Sequence, residues 1–510
     1  MNFGESENSV NGFTTPVVDR LMWRGLSLIA ATFILTAAVP FGRDPFPQKT
    51  SRAEWLSFDG VRLPRSIITT QNVSRLRQLW RAALPETADG SPVYVGGVQT
   101  RSVARDLLIV STINGRVIAF DAANGFRVWQ TTPPAGGRWT TSSPAVDPSH
   151  VFVFAYGLDG SIHRYSIRTG EEVTGGGWPE LVTLKSDVEK GSSALSIATA
   201  KDGRTFLYMP TAAYPIPGDD GDYQGHLTTI DIASGEQHVF NALCSDHDAH
   251  FTDRGDDSDC AAAQAGIWAR AGAVYEPRTN RVFVTTGNGP NNALDGGFHW
   301  GTSVVALRPD GTTDAGTPVD SYTPTDFQQL TDQDLDLSST TIAVLPSSHA
   351  GWPVLGVQSG KDGRLRLLDL EDLSGQGGPR HAGGELQIIG LPQGHTVLTQ
   401  PTAWRDWLFV SNNQGTAAYR LVADENDNPQ LQQAWVRLDV AGTTPIVVNG
   451  IIYLASPNQF TALRATTGET LWQDDSIGDI HWQSPIIVND TVYLPDNSGY
   501  LTAYSLATSR

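Results

Sequence analysis

The fold class the sequence predicts is all-β: an eight-bladed β-propeller closed by an N-terminal strand in the last blade. Three observations predict it. One phrase of short strands separated by Asx-Gly or related turns occurs eight times along the chain. Its final copy, SPIIVNDTVYLPDNSGYLTAYSL, holds three strands and lacks the fourth that the copy before it carries. A strand without a repeat of its own lies far upstream, LRQLWRAAL at 76–84, with Trp80 where other copies carry a tryptophan. An open sheet edge is a liability, so a first strand that completes the last repeat implies a closed ring.

Taken in order, the turn-plus-third-strand segments are NGRVIAFDAANG from Asn114, DGSIHRYSIRTG from Asp159, QGHLTTIDIASG from Gln224 and WGTSVVALRPDG from Trp300. They continue with DGRLRLLDLEDLSG from Asp362, QGTAAYRLVADEN from Gln414, NQFTALRATTG from Asn458 and SGYLTAYSL from Ser498. Glycine accepts the positive φ of tight hairpin turns, and alternating apolar runs on either side mark half-buried strands. The base unit is about 40–45 residues, the length of a four-stranded blade. A pair of β-sandwiches would not repeat one such phrase. Because each blade has its own small core, a ring this long need not split into separate domains. The expected organisation is residues 1–42 as a targeting segment, 43–70 as a tether and 71–510 as the propeller.

Composition narrows the function. With 54 acidic and 35 basic residues the net charge is −19, and only five residues are lysine. That balance argues against nucleic acid as a partner. The apolar run LSLIAATFILTAAV follows Arg20 and Arg24. It is short for a bilayer span and the right length for the core of a signal peptide. Thr36-Ala37-Ala38 offers a small-residue cleavage site. The long polar stretch before the run also suits a retained N-terminal anchor. The expected location is therefore periplasmic or secreted, with membrane contact only through such an anchor.

The two cysteines, Cys244 and Cys260, flank the acidic segment CSDHDAHFTDRGDDSDC. In an oxidising compartment they are expected to form a disulfide; two free thiols is the other reading. His247 and His250 with Asp253, Asp256, Asp257 and Asp259 read either as a solvated loop or as a metal site. No Cys-x-x-Cys-His occurs, so any electron acceptor would be a separate protein. GVQSGKD at 356–362 is one residue too short for a phosphate loop and lacks the Ser or Thr after lysine.

The segments AFDAANGFRVW (119–129) and ALRATTGETLW (462–472) resemble the tryptophan-docking repeat of quinoprotein propellers, the pyrroloquinoline quinone (PQQ) family. In that repeat the tryptophan packs between blades over the turn glycine. The resemblance spans roughly residues 70–506. GIWARAGAVYEPRTNRVFVTTGNGP (266–290) is similar to the dehydrogenase phrase Trp…Tyr-Asp-Pro…Thr-Gly-Asn. It implies Asn288 as a Ca²⁺ ligand and Trp268 as the aromatic that stacks on the quinone. The spacing between them is two residues longer than in the family. Gly-Asn-Gly also reads as a tight turn, and Trp268 as a core side chain.

The stretch SYTPTDFQQLTDQDLDLSS (321–339) keeps the family's Thr-Pro, loses its tryptophan, and offers Asp334 or Asp336 as the catalytic base. The same carboxylate, Asp334 foremost, would lie near the metal. Lys361 occupies the position of the cation that touches a quinone oxygen. Asp220 stands where the family has its Glu metal ligand. Each position also reads as an ordinary loop residue. The adjacent cysteine pair of the catalytic quinoprotein alcohol dehydrogenases is missing.

Two functions are thus expected to compete. One is a dehydrogenase of alcohols, sugars or aldehydes that uses PQQ with Ca²⁺ or a lanthanide. The other is a non-catalytic propeller that docks envelope protein partners, similar to the outer-membrane protein-assembly propeller. The first requires Asp220, Asn288, Asp334 or Asp336, and Lys361 to converge on one axial pocket.

Overall fold

The computed structural model describes residues 54–58, 61–62, 66–214, 222–252, 260–346, 349–394 and 396–506. Residues 1–42, read above as a targeting segment, and Asp220, Asp253, Asp256, Asp257 and Asp259 lie outside the described residues. The described strands form eight antiparallel sheets, one per blade. Blade 1 runs through Val93–Gln99, Ala104–Ser111, Val117–Asp121 and Arg127–Gln130; blade 2 runs from Ala145–Val146 to Glu180–Leu181. Blade 3 begins at Glu189–Gly191 and ends at Gln237–Asn241, and blade 4 spans Val274–Glu276 to Asp320–Tyr322. Blades 5, 6 and 7 begin at Ala343–Val344, Thr402–Trp404 and Ile446–Val448. In blade 8, Ile486–Val488, Thr491–Asp496 and Tyr500–Leu506 take Leu76–Ala83 as their fourth strand.

The ring therefore closes as the truncated last repeat predicts. Leu76 pairs with Leu506 and Ala83 with Tyr500, in antiparallel register. The largest apolar cluster spans this closure and includes Leu76 of the N-terminal strand, Tyr94 of blade 1, Tyr453 of blade 7 and Tyr504 of blade 8. Burying that cluster ties the two chain ends together through the hydrophobic effect. Part of the stretch read as a tether also lies on the ring. Glu54–Trp55 pairs with Val61–Arg62 and with Tyr94, and Trp55 and Phe58 are buried.

Four tryptophans hold the regular junctions. Trp80, Trp129, Trp435 and Trp472 each stand opposite an alanine on the neighbouring strand, namely Ala503, Ala119, Ala418 and Ala462. A register shift accompanies each pairing. Such a bulge re-aims a side chain, and the small alanine leaves room for the indole. Three of the rings then lie over a turn glycine of the next blade. A Cβ on Gly125, Gly170 or Gly468 would come within 2.6, 2.5 or 2.9 Å of Trp80, Trp129 or Trp435. Each indole N–H also donates to a carbonyl of that blade: Ala122, Ile167 and Ala465, at 3.1, 3.0 and 2.9 Å.

Candidate active site

The blade 4 to blade 5 connection builds the carboxylate side of the site. It carries the one α-helix among the described residues, Phe327–Asp332, whose Leu330 is buried. A short turn follows, and the 3₁₀ segment Leu337–Ser339, buried throughout, anchors its far end. Between these anchors, Asp334 has a left-handed backbone (φ 55°) and its side chain is 82 % exposed, whereas the side chain of Asp336 is 13 % exposed.

Asp336 is fixed from two directions. Its Oδ1 accepts the backbone N–H of Asn288 at 2.8 Å, and its Oδ2 lies 2.6 Å from Lys361 Nζ. The backbone N–H of Lys361 donates to Asp336 O at 2.9 Å. Gly287 permits this approach, since a Cβ there would stand 2.6 Å from Asp336 Oδ1. Asn288 Nδ2 donates to Asp334 Oδ1 at 3.0 Å, while Asn288 Oδ1 is buried without a donor. Lys361 Nζ also reaches Asp334 Oδ1 at 3.2 Å and lies 5.5 Å from the Trp268 ring centre. Burial pushes the Asp336 carboxyl above the usual range, partly offset by Lys361. Burial pulls the Lys361 ammonium down, but Asp336 and then Asp334 outweigh it and hold it above its ordinary value.

Asn288, Asp334, Asp336 and Lys361 thus converge, with Trp268 beside them. Asp334, Asp336, Lys361 and Trp268 line one cavity of about 510 Å³, within the usual range for a small-molecule site. Its other walls come from the inner ends of several blades and include Tyr214, Tyr223, Leu398 and Trp482. Two further cations face the cavity that sequence reasoning missed, Lys190 and Arg270. No spacing along the chain marks either of them; only the scarcity of lysine sets Lys190 apart.

The histidines of the acidic segment do not gather a metal set among the described residues. His250 packs edge-on against His226, and burial pushes its imidazole down to about 3. His247 pairs with Asp246 at 3.4 Å. Cys244 and Cys260 form the disulfide, with Cα atoms 5.8 Å apart.

A family model described as outer membrane protein assembly factor BamB matches residues 71–290 and 389–510, more than half of the chain. The chain belongs to this BamB-like family of PQQ-repeat propellers. No curated protein sequence matches it. Among solved structures it is similar to a quinohemoprotein alcohol dehydrogenase from Pseudomonas putida, at 15% identity and a TM-score of 0.61 over 90% of this chain and 81% of that one. A europium-containing methanol dehydrogenase matches at 15% identity and 0.61, over 87% and 95% of the two chains. BamB from Moraxella catarrhalis matches at 14% and 0.51, over 85% and 99%. At these identities the likeness shows the fold. The BamB-like match leaves out 291–388, the segment that supplies Asp334, Asp336 and Lys361.

Proposed function

We propose that the protein is an exported, PQQ-dependent dehydrogenase of alcohols, sugars or aldehydes that works with a bound Ca²⁺ or lanthanide ion. The observation that carries this reading is the convergence of Asn288, Asp336, Lys361 and Trp268 at one axial cavity. The donor set fits a hard cation: Asn288 Oδ1 is a buried acceptor without a donor, and the Asp336 carboxylate stands beside it. Asp220, the third expected ligand, lies outside the described residues.

Bound PQQ would supply the two-electron acceptor for the hydrogen on the substrate's hydroxyl-bearing carbon. The chain's own residues do the rest. Asp336 takes the substrate hydroxyl proton; a carboxyl raised above its ordinary range is better matched to that task near neutral pH. Lys361 orients Asp336 and would offer positive charge to a bound cofactor that gains negative charge. Trp268 gives a flat wall, and Asp334, exposed at the rim, steadies Asn288 and Lys361. A separate protein would have to accept the electrons, since the chain has no Cys-x-x-Cys-His for a covalent haem. Export to the periplasm or beyond, by a cleaved signal or with a retained N-terminal anchor, belongs to the same proposal and is supported by the apolar run at 26–39 and by the disulfide.

The second reading, a scaffold that docks envelope protein partners, is favoured by the BamB-like family match and by the missing adjacent cysteines. One experiment separates them. The purified chain is incubated with PQQ and Ca²⁺, quinone absorbance is followed, and dye reduction is assayed with alcohols and aldoses. Stoichiometric binding, weakened in Asn288→Ala, is expected, together with dye reduction lost by about 100-fold or more in Asp336→Asn. No binding by a cooperatively folded chain would refute the dehydrogenase and leave the scaffold.

A further inference from the structure

Buried cations normally sit beside an acid, because an unpaired buried charge is costly. Lys185, Arg366 and the half-buried Lys361 obey that rule. Lys185 Nζ lies 3.0 Å from Glu189 Oε1 and also donates to Gln224 Oε1 at 2.5 Å. Arg366 Nη2 lies 2.5 Å from Asp362 Oδ2, and Lys361 Nζ lies 2.6 Å from Asp336 Oδ2. Two cations in the axial cavity break it.

Lys190 is 4 % exposed, and among the described residues no carboxylate pairs with its ammonium and no acceptor bonds it. It follows Glu189 in the first strand of blade 3, so alternation sends it to the other face, away from the Lys185–Glu189 pair. Its neighbours are the faces of Trp139 and Tyr214, with ring centres 5.2 and 5.6 Å from Nζ. Arg270 is 3 % exposed, and its guanidinium donates only to backbone carbonyls: Thr141 at 2.9 Å, Ser192 at 3.1 Å and Asp89 at 3.0 Å. Its Nε is buried without a partner.

The acid whose charge acts on both is Asp89, and its carboxylate is already engaged. Oδ2 takes His481 Nδ1 at 2.8 Å, and Oδ1 takes the Trp482 N–H at 3.2 Å. Lys190 and Arg270 also lie close enough to repel one another: burial first, then Arg270, pushes the Lys190 ammonium down to about 8, against a smaller pull from Asp89. Burial likewise lowers Arg270 to about 10. Two buried like charges that line one cavity, in a chain of net charge −19, would be stabilised by a bound anion.

We propose that Lys190 and Arg270 form a carboxylate-binding subsite of the axial cavity, filled by a carboxylate of the cavity's ligand. Two sources share that chemistry: a carboxyl arm of the quinone cofactor, or a free hydroxy acid. The inference rests on reading the cavity as a ligand site, and its test keeps the two questions apart. PQQ, its trimethyl ester, gluconate and glycolate are titrated into the full chain, and quenching of tryptophan fluorescence is followed, since Trp268 and Trp482 line the cavity. Lys190→Met removes the charge and Lys190→Arg restores it, with thermal unfolding as the control for folding.

PQQ binding at least about tenfold tighter than its ester, with the difference lost in Lys190→Met and kept in Lys190→Arg, is the expected result and assigns the cofactor arm. Gluconate or glycolate binding that Lys190→Met abolishes, without PQQ binding, assigns the free acid; the subsite then stands while the PQQ reading fails. Equal PQQ affinity in the wild type and Lys190→Met overturns the subsite and leaves the PQQ reading standing. If no carboxylate binds the folded wild type, the subsite is overturned.

Discussion

Replacing Gly170 by alanine tests what joins one blade to the next. Gly170 is left-handed (φ 71°), and an added Cβ would meet the Trp129 ring at 2.5 Å. The backbone conformation alone costs alanine about 1–2 kcal/mol. Displacing the indole adds about 1–3 kcal/mol of overpacking, and the Trp129 bond to Ile167 O is strained or lost with it. Gly203 is the control. It is also left-handed (φ 90°), and a Cβ there meets nothing within 4 Å.

Gly203→Ala should therefore cost about 1–2 kcal/mol and Gly170→Ala about 2–5 kcal/mol. In a Trp129→Ala background the clash is gone, and Gly170→Ala should fall back to the cost of the control. The double-mutant cycle then yields a coupling of about 1–3 kcal/mol. The assay is urea unfolding followed by tryptophan fluorescence and far-UV circular dichroism, accepted only where the two transitions coincide. If Gly170→Ala costs no more than Gly203→Ala, indole docking is not what holds the junction of blades 1 and 2.

Two further outcomes are expected. Replacing both Cys244 and Cys260 by serine should lower stability by about 3 kcal/mol on the chain-entropy argument for a loop of this length; a loss in urea unfolding below about 1 kcal/mol would mean the linkage constrains little. Carboxylate affinity at the Lys190 subsite should stay level up to about pH 8, the value to which burial brings the free ammonium, and fall as much as tenfold per pH unit above it. The sign follows because an anion binds the charged form and so raises its pKa. The charged and titratable groups facing Lys190 are Arg270, Asp89 and the Tyr214 hydroxyl, and only Lys190 is brought near 8. Affinity measured by tryptophan quenching that stays flat from pH 7 to pH 9.5 would remove Lys190 from the subsite.

The fold was legible because it is local and repeated. Each blade restates its turn chemistry and alternation, and the missing fourth strand of the last repeat points to Leu76–Ala83 without any tertiary information. The site was legible only as far as the family phrase reached. Asn288 and Lys361 each follow a strand of fixed length, so their spacing carries their position. The choice between Asp334 and Asp336 did not show, because the intervening helix and the left-handed turn at Asp334 decide which carboxylate faces inward. Lys190 and Arg270 were invisible for another reason. Being buried without an acid is a property of the assembled cavity, and no spacing along the chain encodes it.

The ring divides its labour. Tryptophan docks on glycine where blades 8, 1 and 2 meet and again between blades 6 and 7. Between blades 2 and 3 the corresponding glycine, Gly235, instead faces the carboxylate of Glu180, which accepts from Gln237 at 2.6 Å. Between blades 3 and 4, Gly311 faces Thr229. Lys190, Arg270, Asn288, Asp336 and Lys361 all come from this second arc or from the connections within it. A closed ring lets one arc carry the regular packing, because every blade is held from both sides whatever its own junctions contribute. The other arc is then free to lengthen its connections and to keep charged side chains at the axis. The BamB-like match breaks off within that arc, after residue 290, and the unmatched stretch supplies Asp334, Asp336 and Lys361 to the cavity.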